Sequence, residues 1–235
     1  FAAHVPQRAD EGSVARQLAT SGVDLLFGGG LGQFGPPAGD STAVPLLETM
    51  AAAGWAVATD RAGYDALDAL PAVALLAPNH LAYEIDRATT DQPSLADLTR
   101  KALALLAASE DGRETGFFLM VEGSRIDHAG HGNDPAGHLG DILAYDEAVA
   151  AALAWAAADG NTLVVSTADH ETGGLTLGRD GIYAWDPAPL LAATASFEAM
   201  AARIQAGEDP VEAVRLGVGA DSLAAYLGVL RQSPA

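Results

Sequence analysis

The chain has 235 residues, enough for one large domain or a domain with an appendage, and 49% of them are hydrophobic, enough to build a sizeable core. A formal charge of -19 argues against a nucleic-acid binder, because a phosphate backbone demands a basic footprint, and any phosphate chemistry would need local cations or metal. The absence of cysteine excludes disulfides, thiolate metal ligands and a cysteine nucleophile, and no apolar run is long enough to indicate a transmembrane helix.

Taken in chain order, residues 1–5 read as the inside of a helix and lack the charged start and apolar run of a signal peptide. Helix 12–21 is followed by a strand at 23–27, stopped by Gly28, Gly29 and Gly30. That glycine cluster lacks the lysine-serine ending of a P-loop and the Rossmann spacing, so it reads as a structural turn. Helix 43–53 and short strands at 55–58 and 73–76 come next. Helix 94–109 opens at Ser94, after Pro93 and three residues before Asp97. The clearest strands are 116–121 and 162–166, with helix 135–158 between them; each strand is short and apolar on both faces, as in a buried parallel sheet. This alternation predicts an α/β sandwich with a mostly parallel sheet over residues 1–178. From 179 to 235 there are helical patterns, Pro187, Pro189 and the breaker Gly207-Glu208-Asp209-Pro210, but no strong strand, so a mainly helical appendage is predicted.

Two of the strands run directly into clusters of metal-ligand residue types. One continues as Glu122-Gly123-Ser124-Arg125-Ile126-Asp127-His128-Ala129-Gly130-His131, the other as Thr167-Ala168-Asp169-His170-Glu171-Thr172-Gly173-Gly174. Carboxylates and imidazoles are the mixed oxygen and nitrogen donors that zinc accepts, whereas an oxygen-only set suits magnesium. Asp127 and His131 are four apart, which on a helical turn places both on one face. Asp169 and His170 are adjacent and converge only if the backbone turns sharply, which Gly173 and Gly174 favour. Two such sites at neighbouring strand ends suggest a two-metal centre that clamps the attacking and leaving oxygens of a displacement. His138 reads as a helix-surface residue and His80 as a loop hydrogen-bonding group; Glu171 stands open between metal ligand and turn cap.

These segments resemble the metal motifs of alkaline phosphatases, and flanking stretches agree: Leu81-Ala82-Tyr83-Glu84-Ile85-Asp86, the run from Pro93 to Lys101, and Asp146-Glu147-Ala148-Val149. The resemblance runs from about His4 to Gly178. It implies a three-layer α/β sandwich, hydrolysis of phosphate monoesters, two zinc ions and one magnesium. By it, Glu122 is a magnesium ligand, Asp127 and His131 bind one zinc, Asp169 and His170 bind the other, and His128 contacts phosphate or a nearby water. His4-Val5-Pro6-Gln7-Arg8 is similar to the segment whose arginine holds substrate phosphate; a guanidinium suits that role because its planar fork donates two parallel hydrogen bonds. A periplasmic or secreted location is implied in the same way.

The chain departs from the family pattern in two respects. The family's Asp-Ser-Ala nucleophile segment does not occur; Asp40-Ser41-Thr42 and Asp221-Ser222-Leu223 stand in the wrong place in the family order. No histidine follows His170, so each zinc site keeps two family ligands where three are expected. The expectation is a central portion of an alkaline phosphatase that is inactive alone and, with sheet edges exposed, self-associates, for instance as a homodimer. Two alternatives stand beside it: a phosphodiesterase or mutase relative, and a non-catalytic metal-binding or association module.

Overall fold

The computed structural model describes residues 2–36, 44–174 and 186–219. Asp40-Ser41-Thr42, Asp221-Ser222-Leu223 and the boundary at residue 178 lie outside them. The chain divides into two compact units: one of residues 1–82, 91–93 and 97–120, the other of residues 83–90, 94–96 and 121–235.

The first unit is organised by three parallel strands, β1 (Leu25–Gly28), β2 (Ala56–Ala58) and β3 (Ala72–Leu75), in the order β1-β3-β2. Ala72 pairs with Leu25 on one side and Ala56 on the other, so β3 is central and has no open edge. Side chains alternate across a strand, and here the alternation divides two cores. Ala72 and Ala74 pack with Tyr64, Leu67 and Leu98, from α3 (Arg61–Ala66), its C-terminal cap and α4 (Leu95–Ala108). Val73 and Leu75 pack on the opposite face with Ala15, Phe34 and Met50, from α1 (Glu11–Leu18), a 3-10 turn at Leu31–Phe34 and α2 (Leu46–Ala52). Helices on both faces of a parallel sheet are the α/β layering that the sequence predicts.

The glycine cluster is the structural turn expected. Gly30 adopts φ +87°, and a β-carbon at Gly29 would collide with the carbonyl group of Asn79. The N–H groups of Leu31 and Gly32 donate to the carbonyls of Ala77 and Pro78 at 3.0 and 2.9 Å. Only glycine permits so close a backbone approach.

Two local expectations are corrected. Residues 2–10 are not helical: α1 starts after Asp10, whose side chain accepts from the Ser13 N–H, and the Gln17 side chain pins His4 through bonds to its backbone N–H and C=O. Residues 116–121 and 162–166 are not paired strands among the described residues. Their exposure does alternate with period two, Leu163 and Val165 turning outward at 85% and 76% exposure. A ladder needs a neighbour to take up its N–H and C=O groups, and residues 162–168 have no backbone partner among the described residues.

Among the described residues, the regular elements of the second unit are helices. After α5 (Glu110–Glu114) in the first unit come α6 (Ser124–His131), α7 (Pro135–Asp159), α8 (Ala188–Leu191), α9 (Phe197–Gln205) and α10 (Pro210–Val218). Ala136, Leu190, Ala195, Met200 and Val218 form its core, with Ile85 and Leu139 against them. The carboxylate of Asp134, 3% exposed, accepts from the N–H of Gly137 at the start of α7 and from that of Phe197 at the start of α9, at 2.9 and 2.7 Å. Asp86 accepts similarly from the Ser196 N–H at 3.0 Å.

Candidate metal centre

The first ligand segment is α6 itself. Gly123 precedes it because the ring of Tyr145 on α7 occupies the space a side chain would need, 2.9 Å from where a β-carbon would sit. The helix ends at Gly132, and Asn133, at φ 50°, turns the chain into α7. Helical spacing puts Asp127 and His131 on one face, with Asp127 Oδ1 and His131 Nε2 3.4 Å apart.

The second candidate ligand segment is held by two side-chain bonds, one to α7 and one to α6. Tyr145 Oη and Ser166 Oγ are 3.0 Å apart, and Thr172 Oγ1 donates to Asp127 Oδ1 at 3.1 Å. Gly130 lies under Thr172, where a β-carbon would come within 2.9 Å of the threonine side chain. Gly173 and Gly174 both take positive φ and turn the chain away. The result brings His170 Nε2 to 3.3 Å from Asp169 Oδ2 and 3.9 Å from Asp127 Oδ1.

Asp127, His131, Asp169 and His170, from segments about forty residues apart in sequence, thus share one locality. Two donors on one tetrahedral zinc, each about 2.0–2.1 Å from it, stand about 3.4 Å apart. The Asp127–His131 and Asp169–His170 separations match that edge pair by pair. No group of three or more donors converges on one point among the described residues. The tautomer of His170 also suits a ligand. Its Nδ1 is 2.8 Å from the Glu171 carbonyl, which can only accept, so Nδ1 carries the hydrogen and Nε2 keeps its lone pair when the ring is neutral. That carbonyl first, and Asp169 second, hold the His170 pKa above its ordinary value.

Glu122 is exposed in the segment before α6, and it makes no hydrogen bond or ion pair among the described residues. Arg8 sits in an exposed turn of the first unit, before α1. Glu171 serves the site through its backbone carbonyl. His138 is half-buried on α7 rather than a surface residue, and burial pushes its pKa down.

Sequence reasoning passed over Arg125. Its side chain is 9% exposed, with the guanidinium carbon 3.5 Å from the centre of the Tyr83 ring. Nη2 donates to Glu198 Oε2 at 2.8 Å, Nη1 lies 3.4 Å from His128 Nδ1, and Nε is buried without a partner. Leaving one buried N–H unsatisfied costs about 1–3 kcal/mol, which stacking on an aromatic face offsets in part. Nothing local signals this arrangement, since Glu198 is 73 residues away.

Comparison with known proteins places these features in a family. The alkaline phosphatase family profile matches residues 3–223. The repressible alkaline phosphatase of Saccharomyces cerevisiae is 41% identical over 228 residues, covering 84% of this chain and 40% of the yeast protein. The crystal structure of Thermus thermophilus alkaline phosphatase superposes with a TM-score of 0.79 and 30% identity, covering 98% of this chain and 50% of that one. A histidine-to-glutamate mutant of TAB5 alkaline phosphatase, with magnesium bound in its M3 site, superposes with a TM-score of 0.62 and 30% identity over 79% of this chain and 53% of that one. The chain therefore spans about two fifths of the length of the yeast relative. With its parallel sheet and this breadth of similarity, the chain belongs to the alkaline phosphatase family.

Proposed function

We propose that this chain carries the metal-binding part of a centre that hydrolyses small phosphate monoesters. Asp127 and His131 would hold one zinc, Asp169 and His170 a second, and Glu122 the magnesium; magnesium in the M3 site of the TAB5 mutant supports magnesium as a cofactor, while Glu122 as its ligand rests on the family resemblance. Bound zinc would supply Lewis acidity toward phosphoryl oxygens and lower the pKa of a coordinated oxygen nucleophile. The chain's own residues do the rest: Thr172 orients the Asp127 carboxylate and the Glu171 carbonyl sets the His170 tautomer. By the family resemblance alone, His128 and Arg8 are each proposed as phosphate contacts. Residues 1–178 are read as a partial α/β core and 179–235 as a helical appendage. By the habit of the family the setting is periplasmic or secreted, and self-association as a homodimer is expected. No helix among the described residues is long and apolar enough to cross a membrane.

The observation that carries this reading is the meeting of Asp127, His131, Asp169 and His170 from two separated segments. With two protein donors per zinc, the chain by itself is expected to hold zinc weakly and not to turn over. Zinc chloride titrated into the purified chain should shift the ring resonances of His131 and His170, and Asp127→Ala should abolish the His131 response. An absence of any response at millimolar zinc would refute the metal assignment. Robust metal-dependent release of p-nitrophenol from p-nitrophenyl phosphate would refute the expected inactivity.

A further inference from the structure

His128 and His170 are set in opposite senses by what faces their Nδ1 atoms. At His170, Nδ1 faces a carbonyl oxygen and must donate. At His128, Nδ1 faces Nη1 of Arg125, 3.4 Å away. A guanidinium has donors only and keeps its charge at any pH a protein survives. The bond can form only if His128 Nδ1 accepts, which leaves the ring hydrogen of the neutral imidazole on Nε2.

Arg125 in turn is not free to swing. It is one turn before His128 on α6, it lies over the Tyr83 ring, and its second terminal nitrogen is held by Glu198 in the first turn of α9. Both elements that hold it, the segment around Tyr83 and α9, belong to the same compact unit as α6. The guanidinium spends one edge on Glu198 and the other on His128, with its face on an aromatic ring. That arrangement fits a strut between a remote helix and a site residue better than a surface ion pair.

We infer that Arg125, anchored by Glu198, is a positioning residue that fixes His128 as the Nε2–H tautomer. His128 then offers an N–H donor, suited to a phosphoryl oxygen or to a water bound to it, whereas His170 offers a lone pair suited to a metal. Imidazoles from the two segments are thus assigned to anion and cation by the group that each Nδ1 faces. The donor role toward phosphate rests on the reading given under Proposed function; the tautomer and its dependence on Arg125 do not. The α9 helix, which supplies no ligand, acquires a part in the site through Glu198.

The test is nitrogen NMR of the chain labelled in its histidine rings, with the His128 signals assigned by their loss in His128→Gln. Spectra are taken at about pH 9, where an ordinary imidazole is neutral. Wild-type His128 should be predominantly the Nε2–H form and His170 predominantly Nδ1–H. Arg125→Gln should lower the Nε2–H to Nδ1–H ratio at His128 at least several-fold while leaving His170 unchanged. Because Arg125 is buried, its variant could misfold, so Glu198→Ala is run in parallel: its exposed carboxylate can be removed with the fold intact, and the ratio should fall in the same direction. An Nδ1–H or evenly mixed His128 in the wild type would overturn the inference, as would a ratio unmoved by Glu198→Ala and by any folded Arg125→Gln protein. Inorganic phosphate added to zinc-loaded chain separates the two claims. An Nε2–H His128 that ignores phosphate upholds the strut and sinks the phosphate contact; an Nδ1–H His128 that responds to phosphate does the reverse.

Discussion

Strand β3 and the segment 162–166 both read as short, mostly apolar strand candidates, Ala72-Val73-Ala74-Leu75 and Thr162-Leu163-Val164-Val165-Ser166, and end differently. In β3, Ala72, Val73 and Ala74 are fully buried, with a parallel neighbour on each side and helices on both faces. In the segment, Leu163 and Val165 stand in solvent and the backbone has no ladder among the described residues. An apolar run specifies that a strand could be buried; what buries it lies elsewhere in the chain. The ligand segments keep their places instead through a helix, a few side-chain hydrogen bonds and glycines that let them approach.

The comparison breaks if the same lesion costs the same in both places. Val73→Asp puts a charge where there is neither water nor a partner, and should cost at least about 4 kcal/mol, enough to abolish the cooperative denaturation of the first unit. Val165→Asp should change the unfolding free energy by no more than about 0.5 kcal/mol. Between these extremes, Asp134→Ala should cost about 2 kcal/mol by urea denaturation, because two helix-start N–H groups lose a buried carboxylate acceptor.

Asp141 sharpens the contrast from the other direction. Burial raises its carboxyl pKa to about 6, above the usual carboxylate range, although the Glu84 N–H donates to it at 3.2 Å. A carboxyl whose folded pKa exceeds its unfolded one contributes stability in acid and loses it as pH rises through the folded value. Asp141→Asn should therefore be more stable than the wild type near pH 8, by about 1 kcal/mol after allowing for partial solvent screening, with the gain gone near pH 4. Thermal melts at the two pH values check this, and a gain that is the same at both would contradict the burial argument. A small effect is also expected of Thr172→Val, which removes one part-buried hydrogen bond to Asp127 and should cost about 0.5–1 kcal/mol.

Much of the fold was legible because its periodicity is local. The strands at 23–27, 55–58 and 73–76 fall within one or two residues of β1, β2 and β3, and the helix predicted over 135–158 is α7. The segments 116–121 and 162–166 carried the same signal, but pairing is a property of neighbours and not of the run itself. The clustering of Asp and His after apolar stretches marked the two candidate ligand segments, whose side chains the fold brings together. That Thr172 and Tyr145 would hold them together was not readable, since those bonds span 45 and 21 residues. Arg125 was hidden for the same reason: its ring, its anion and its histidine come from three different elements, and only the histidine is nearby in sequence.

The doubly used carboxylate of Asp134 has a consequence for how the second unit opens. Because the first turns of α7 and α9 draw on one buried side chain, neither can fray without stranding an acceptor that the other still needs. The amides of Gly137 and Phe197, sixty residues apart, should then exchange with solvent through a single opening event. Their protection would rise and fall together with denaturant, making the two helix starts one cooperative unit in the native-state hierarchy.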